Sequence, residues 1–379
     1  MKTKLLYPVG ALLIALCAIE FISFIFFSIF RERFGLRKAH PYTVAQTDIP
    51  RLKRMYDVTL GWKKRFPTAF GERPRKLVYG RPLLAAFGDS FTYCEEVRDE
   101  ETWEEQLAAM LSSDVYNFGV GAYGTDQAYL RFREDSPKVG TPLVTLGLIT
   151  ENINRIVNRY RPFYFARTGY TLPKPRFILH GQTRELIENP VRNESELGKL
   201  LDPKFVASLG EHDWWFDHDN QPVLGFPYTA ILFHQRFWLE RFYRFKGHQV
   251  DDLSPRPWIN LWTDPSARDL MFSILDSFMA ESKAAGQQPF IHLLPTQNEV
   301  LSQMQGKNPA KLGIIYSYCR SRGYPCFDGA AALAKNARTR TELNKFFTHH
   351  LTPLGNRILA SELQAFLIEQ KLIDPPVNK

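Results

Sequence analysis

The chain has 379 residues, of which 44% are hydrophobic and 14% are aromatic, and this content is enough to bury one large core or two smaller ones. Such a composition excludes an intrinsically disordered or fibrous protein. The net charge of +8 comes from Lys and Arg residues that are scattered along the chain, a distribution that indicates a solvated basic surface and no nucleic-acid partner.

The first predicted element is an apolar segment from Leu5 to Phe30, in which Glu20 is the one charged residue. A bilayer is crossed by about 20 such residues. The segment is followed by Arg31-Glu32-Arg33 and not by a cleavage site of small residues, so we predict a retained single-pass anchor over residues 1–38. Glu20 is unfavourable at mid-membrane, and it is either protonated or placed at a helix–helix contact.

Beyond the anchor, short apolar runs alternate with amphipathic helical patterns. The predicted strands are Leu83–Phe87, Val115–Phe118, Leu143–Ile149, Pro289–Leu294 and Pro325–Phe327. The predicted helices are Thr102–Leu111, Thr125–Phe132, Pro265–Ala285, Lys311–Arg322 and Arg357–Leu367. Buried strands separated by helices indicate a parallel sheet covered on both faces. We therefore predict an α/β fold over residues 39–379, a three-layer α/β/α flavodoxin-like sandwich.

Residues 160–262 break this alternation and are rich in Pro and aromatic residues, so we predict that they form an insertion or cap. Within them, Glu211–Asp219 mixes His and acidic residues with Trp214 and Trp215. Because the aromatic residues interrupt the possible ligands irregularly, we expect no metal here; the tryptophans either stack on a sugar or acyl group or pack the cap. Elsewhere, Cys319 and Cys326 either form a disulfide or remain two thiols.

Polar residues follow the predicted strands at the points where they end. Ser90 lies in a Gly-Asp-Ser turn after the first strand, a glycine-containing loop from Asn117 to Gln127 follows the second, and Asn152 follows the third. His350 lies in the loop before the last helix. Ligand sites in parallel sheets form beyond the carboxyl ends of the strands. These residues supply the nucleophile, base and oxyanion donors that acyl transfer needs.

These four segments resemble the sequence blocks of the SGNH (GDSL-type) hydrolase superfamily. Ser90 matches the nucleophile of the first block, and Ala122 falls where the second block has the glycine whose backbone N–H helps to bind the oxyanion. Asn152 matches the oxyanion asparagine of the third block, and His350 matches the base of the last. The aspartate that usually precedes the histidine is absent, because Phe347 and Thr348 stand in its place.

The resemblance implies a serine esterase or acylhydrolase that uses no cofactor and cleaves a small acyl ester, with O-acetyl on a glycan as one candidate. Ser90, His350, Asn152 and Ala122 are its implied catalytic residues, acting as a Ser–His dyad or triad with an oxyanion hole. The alternatives are a membrane-anchored O-acyltransferase and a catalytically silent carbohydrate-binding module. Because envelope esters are the expected substrates, we expect the domain on the periplasmic or extracellular side; the basic residues flanking the anchor do not fix the orientation.

The missing aspartate leads us to expect a dyad in which Nδ1 of His350 bonds a backbone carbonyl. Asp328, after the fifth strand, is the weaker candidate for an orienting acid, and we favour a cap or surface role for it. We expect His349 to be structural and Asp89 to bond the backbone of the Ser90 turn. Asn152 has an alternative role as a helix N-cap.

Overall fold

The computed structural model describes residues 3–30, 36, 42–63, 66–165, 168–181, 183–218, 224–246, 256 and 258–375. Its strands are β1 (Tyr56–Asp57), β2 (Gly61–Trp62), β3 (Pro82–Gly88), β4 (Asp114–Gly119), β5 (Leu143–Leu148), β6 (Arg176–His180), β7 (Thr183–Ile187), β8 (Gln288–Leu293) and β9 (Cys326–Asp328).

The α-helices are α1 (Thr3–Ile29), α2 (Ile49–Met55), α3 (Ser90–Tyr93), α4 (Trp103–Leu111), α5 (Thr125–Val139), α6 (Asn152–Ile156), α7 (Arg161–Tyr164), α8 (Pro203–Ser208), α9 (Trp214–His218), α10 (Gln235–Phe245), α11 (Pro265–Ala284), α12 (Gln297–Met304), α13 (Ala310–Arg322), α14 (Gly329–Ala334), α15 (Arg340–Leu343) and α16 (Pro353–Glu369). Short 3-10 helices span Gln46–Asp48, Asp99–Glu101, Glu194–Leu201, Leu209–His212, Tyr228–Phe233 and Leu261–Thr263.

A five-stranded sheet forms the centre of the molecule, with the order β4-β3-β5-β8-β9. All of its neighbouring strands are parallel. The chain runs from β3 to β4 on one side and then crosses to β5 on the other, so a switch point lies beside the carboxyl end of β3. Sites in open parallel sheets form at such switch points, and the loop that carries Ser90 begins there.

Helices cover the sheet in two layers, which confirms the predicted α/β/α architecture. One layer contains α5 and α11, which pack together and against β3, β5 and β8. The other contains α4, α14 and α16. The strands are apolar on both faces because both faces are buried: Leu84, Ala85, Ala86 and Phe87 of β3 are all fully inaccessible to solvent. Burial of these side chains is the main favourable contribution to folding.

The chain between α6 and α11 contributes no strand to the central sheet in the part that the structure describes. It contains the antiparallel hairpin of β6 and β7 and several short helices. Trp215 is buried here, and the Trp214 ring stacks on His218 with a 3.8 Å separation of centroids. Both tryptophans thus make packing contacts. Asp219, the last residue of this run, lies outside the described residues.

Asp213, within the same acidic and aromatic run, is buried and bound to the protein itself. It accepts hydrogen bonds from the Asn158 amide at 2.8 Å and the Tyr160 backbone N–H at 3.0 Å. Its carboxylate therefore serves to hold the chain after α6. Among the described residues, no group of three or more His, Cys, Asp or Glu side chains is arranged to hold a metal ion.

The N-terminal helix α1 contains a stretch, Tyr7–Ile29, with a mean hydropathy of 2.6, which is long and apolar enough to span a membrane. Most of its large side chains are exposed in the isolated chain. Arg31, Arg33, Arg37 and Lys38, which flank the helix, lie outside the described residues.

The two cysteines considered for a disulfide are free thiols in this structure. Cys319 is buried in α13, and Cys326 begins β9. The hydrogen bond that the Cys326 thiol donates to the neighbouring Cys319, together with burial, raises the pKa of Cys326 well above its ordinary value.

Candidate active site

The turn after β3 holds the proposed nucleophile at the start of a short helix. Asp89 is the N-cap of α3, and its Oδ1 accepts a hydrogen bond from the Phe91 backbone N–H at 2.8 Å. The other carboxylate oxygen lies 3.8 Å from the Arg155 guanidinium. As expected, Asp89 shapes the turn. Gly88 is required because a Cβ there would lie 1.9 Å from the Thr92 hydroxyl.

The loop before α16 brings a histidine onto this turn. Nε2 of His350 lies 2.9 Å from Oγ of Ser90. The His350 ring also packs on the Phe91 ring, with centroids 4.7 Å apart. Ser90 and His350 are both buried, whereas the neighbouring His349 is exposed. The two residues are 260 positions apart in sequence, and the fold brings them to hydrogen-bonding distance.

The partner of the second ring nitrogen differs from the sequence-based expectation. Nδ1 of His350 lies 3.0 Å from Oε1 of Glu96 and does not face a backbone carbonyl. The three side chains therefore have the geometry of a Ser–His–Glu triad. Asp328 does not take part, because its Oδ1 accepts hydrogen bonds at 3.0 Å from the backbone N–H groups of Ala330 and Ala331 and caps α14.

Glu96 also fixes the loop that carries the histidine. Its Oε2 accepts hydrogen bonds from the Thr348 hydroxyl and from the backbone N–H groups of His349 at 3.1 Å and His350 at 3.2 Å. Partial burial raises the pKa of Glu96, but the hydrogen bonds from Thr348 and His350 outweigh it and lower this pKa to about 2. The carboxylate is therefore ionised at neutral pH, as an acid that stabilises an imidazolium must be.

A left-handed residue explains how Glu96 reaches the site. Cys94 ends α3 with a φ of +58°, which reverses the chain after a single helical turn. The Glu95 backbone N–H then donates to the Ser90 carbonyl at 3.3 Å. The next residue, Glu96, is thereby held close to the nucleophile. The sequence signal for this acid is a pair of carboxylates five and six residues after the serine. The family pattern instead predicts an acid in the loop that carries His350.

Asn152 is buried beyond the carboxyl end of β5, and its side chain has no protein partner. Neither its Nδ2 nor its Oδ1 makes a hydrogen bond to any part of the chain that the structure describes. It is the first residue of α6, and Glu151 occupies the N-cap position, so the alternative capping role is not adopted. Buried amides are nearly always satisfied, and an unpartnered one is available to a ligand.

Ala122 adopts a conformation that is unusual for alanine. Its φ is +65°, in the left-handed region where residues with a Cβ are strained. Alanine at the position of the family's glycine therefore carries an energetic cost. The neighbouring Gly121 is packed closely, because a Cβ there would lie 2.3 Å from the Tyr170 hydroxyl and 3.2 Å from Oε1 of Glu95.

Comparison with known proteins gave matches among solved structures alone. No protein-family model matches the chain, and the comparison with curated proteins gave no match.

The solved structures that it resembles include GDSL-type hydrolases.

One is named as a lipolytic protein of the G-D-S-L family from Desulfitobacterium hafniense, with 12% identity, a TM-score of 0.36 and coverage of 76% of this chain and all of the other. Another is a catalytic mutant of an acetylxylan esterase from Geobacillus stearothermophilus, with 11% identity, a TM-score of 0.37 and coverage of 76% and 94% of the two chains. A third is an α/β hydrolase from the metagenome of Lake Arreo, with 10% identity, a TM-score of 0.39 and coverage of 75% and 94%. Because these superpositions are loose, we infer the function from the geometry of the site.

The strain at Ala122 gives a first prediction. Ala122→Gly should raise the stability of the protein by up to about 1 kcal/mol, because glycine removes the energetic penalty of a left-handed φ. The larger conformational entropy of glycine in the unfolded chain offsets part of this gain. The thermal unfolding midpoint in detergent measures this change. Ala108→Gly is the control, since Ala108 lies inside α4 and glycine there should lower the midpoint. A lower midpoint for both variants would contradict strain at Ala122.

Proposed function

We propose that the protein is a membrane-anchored serine esterase that cleaves a small acyl ester. The observation that carries this proposal is the continuous chain of contacts from Ser90 Oγ to His350 Nε2 at 2.9 Å and from His350 Nδ1 to Glu96 at 3.0 Å. A nucleophile, a base and an orienting carboxylate in this order are the parts of a serine hydrolase.

In the proposed reaction, Ser90 Oγ attacks the ester carbonyl carbon while Nε2 of His350 accepts its proton. Glu96 holds Nδ1–H and stabilises the imidazolium that results. The negative charge on the carbonyl oxygen is held by the backbone N–H groups of Ser90 and Ala122 and by Nδ2 of Asn152. The tetrahedral intermediate expels the alcohol, which receives the proton from His350. His350 then takes a proton from a water molecule, which attacks the acyl carbon. The second tetrahedral intermediate breaks the bond to Ser90 Oγ and releases the carboxylic acid, and His350 returns the proton to Ser90.

Burial of the nucleophile supports a small acyl group. Ser90 is 5% exposed and His350 is 7% exposed, so a long acyl chain would have to displace the surrounding loops. The rim nearest to them is polar: a carboxylate oxygen of Glu95 lies 4.0 Å from Nε2 of His350, and the Tyr170 hydroxyl packs against Gly121. Polar groups beside the nucleophile suit a polar alcohol, and we propose an acetylated sugar as the substrate class.

Turnover of a graded set of esters tests this proposal. Aryl acetate should be hydrolysed fastest, and aryl octanoate at least about tenfold more slowly, because the longer chain cannot enter without rearrangement. Release of acetate from an acetylated oligosaccharide tests the alcohol. No turnover of any ester by the folded protein would favour the silent binding module, and transfer of the acetyl group to an added sugar without release of acetate would favour an acyltransferase.

The oxyanion role of Asn152 gives a second prediction. Asn152→Ala should lower kcat by roughly 100-fold or more with a smaller change in KM, because it removes a donor to charge that develops in the transition state. Steady-state kinetics with an aryl acetate measure both constants. Asn154→Ala is the control, since the Asn154 amide bonds the Tyr164 hydroxyl at 3.3 Å and should leave kcat nearly unchanged. A change confined to KM would assign Asn152 to substrate binding.

The location of the domain gives a third prediction. With α1 as a retained anchor, we propose that the catalytic domain faces the periplasm or the cell exterior, where acylated envelope glycans lie. Protease added to spheroplasts should then degrade the domain, and a cytoplasmic marker protein should remain intact. Protection of the domain together with the marker would place it in the cytoplasm.

A further inference from the structure

Helix α10 (Gln235–Phe245) presents an apolar face that the described part of the chain leaves exposed. Trp238, Phe242 and Phe245 follow one another at spacings of four and three residues, which places them on one side of the helix. Their exposed fractions are 55%, 51% and 90%. The remaining described residues of the helix include Arg241 and Arg244, so the helix combines aromatic and basic residues, as interfacial membrane helices do.

The segment before α10 is exposed in the same way. Phe226 is 80% exposed and Phe233 is 86% exposed. Outside α1, every described Phe or Trp side chain that is at least half exposed lies between Phe226 and Phe245. Scattered apolar residues are normal on a protein surface, whereas a concentration of this kind marks a contact with an apolar partner.

The same segment is attached to the membrane anchor. Glu20 of α1 accepts hydrogen bonds from the backbone N–H groups of Tyr228 at 2.6 Å and Thr229 at 3.3 Å and from the Thr229 hydroxyl. This contact accounts for the carboxylate inside an apolar helix. Phe27 of α1 is buried in a cluster with Ile231 and Phe237, and the Phe27 and Phe237 rings meet edge to face at 5.8 Å.

With α1 spanning a bilayer, the position of Glu20 sets the depth of the segment. Glu20 is nine residues before Ile29, the last residue of α1. At a rise of 1.5 Å per residue this is about 14 Å, close to half of the roughly 30 Å hydrocarbon thickness. Elements that contact Glu20, Phe24 and Phe27 therefore lie beside the half of the anchor nearest to the catalytic domain. Backbone N–H groups at that depth need protein acceptors, and Glu20 supplies one.

We propose that residues 224–246 form a second membrane element, which inserts its aromatic side chains into the bilayer leaflet on the side of the catalytic domain. The partner is the phospholipid bilayer itself, because the exposed face is continuous with an anchor that lies in the same bilayer. Arg244 and Lys246 are exposed at the end of α10, and in this arrangement their charges would meet phosphate headgroups. This inference depends on the anchor and is independent of the esterase chemistry.

Depth-dependent fluorescence quenching in the full chain tests the proposal. Single cysteines introduced as Phe233→Cys and Phe245→Cys, in a background of Cys17→Ser and Cys326→Ser, carry an environment-sensitive nitrobenzoxadiazole label. The labelled protein is reconstituted into phosphatidylcholine–phosphatidylglycerol vesicles with or without bromine on the acyl chains. Leu12→Cys in α1 is the membrane reference, and Val78→Cys, at a site 69% exposed and far from α1 in sequence, is the aqueous reference.

Both segment labels should lose roughly half of their emission in brominated vesicles, as the Leu12→Cys label does, because they reach the acyl boundary. Emission equal to that of Val78→Cys would overturn the proposal. A label that leaves the aqueous environment only at a high protein-to-lipid ratio would show that a second copy of the chain covers the face. That result would also overturn the proposal. An unquenched Leu12→Cys label would show that α1 does not lie in the bilayer, and the proposal would then fail as well.

Discussion

Replacing Ser90 with alanine is expected to lower the turnover of an aryl acetate by at least roughly 10⁴-fold, because the attacking oxygen is lost and the remaining oxyanion donors cannot form an acyl-enzyme. His350→Ala should have an effect of similar size, since the two residues act as one unit. The initial rate of aryl alcohol release, followed by absorbance, measures both variants.

Two controls separate loss of chemistry from loss of folding. The thermal midpoint of Ser90→Ala should stay close to that of the native protein, because only one small hydroxyl is removed. His349→Ala, next to the base but exposed, should retain most of the activity. Ser90→Ala activity within a few-fold of the native value would refute the assignment of the nucleophile, and an inactive His349→Ala beside an active His350→Ala would move the base by one residue.

The second large effect is expected for Glu96→Gln. This substitution keeps the size of the side chain but removes the charge that stabilises the imidazolium, and kcat should fall by roughly 10²- to 10⁴-fold. Glu95→Gln is a matched control at the adjacent residue, whose carboxylate is 43% exposed and lies 4.0 Å from Nε2. It should change kcat far less. Equal losses for the two variants would contradict a specific role for Glu96.

The lowered pKa of Glu96 also makes a prediction about stability and pH. Its value of about 2 in the folded protein lies below the ordinary 4.5, so the ionised carboxylate stabilises the fold above about pH 4.5, and this contribution is lost as the pH falls toward 2. The difference in thermal midpoint between the native protein and Glu96→Gln should therefore be constant near neutral pH and shrink below about pH 4.5. A difference that grows on acidification would contradict the hydrogen bonds assigned to Glu96.

The sheet could be predicted because its strands are buried on both faces. Leu143–Leu148 and Gln288–Leu293 are short, largely apolar runs bounded by turn residues, which is the pattern of strands in a parallel sheet. The small hairpin of β1 and β2 was not predicted. Its strands are two residues long, too short for a periodic pattern, and tertiary packing around the buried Trp62 decides its conformation.

Ser90 and Asn152 were identifiable because each lies within a few residues of the end of a buried strand, and parallel strands bring such positions to one edge. His350 required the family resemblance as well, since it lies in a loop before the last helix. The structure brings Ser90 and His350 into contact, while the roles of Asn152 and Ala122 in the oxyanion hole remain predictions. The left-handed φ of Ala122 could not be predicted, because alanine by itself does not indicate φ.

Glu96 was missed for a physical reason. Its position depends on the left-handed turn at Cys94, a residue type that carries no turn signal. The absence of an aspartate before His350 was read correctly, but the expected partner of Nδ1, a backbone carbonyl, was wrong, because Nδ1 faces Glu96. The carboxylate reaches the imidazole from the nucleophile's own loop, and only the three-dimensional course of that loop reveals it.

Covalent labelling by a fluorophosphonate, located by peptide mass spectrometry, tests the central claim most directly. The native protein in detergent should carry one phosphonate on Ser90, because the reagent needs a serine activated by an adjacent base and an oxyanion hole. Ser90→Ala should take up no label, and His350→Ala and Glu96→Gln should be labelled much more slowly. A folded native protein that stays unlabelled, or a label on any residue other than Ser90, would contradict the Ser90–His350–Glu96 esterase.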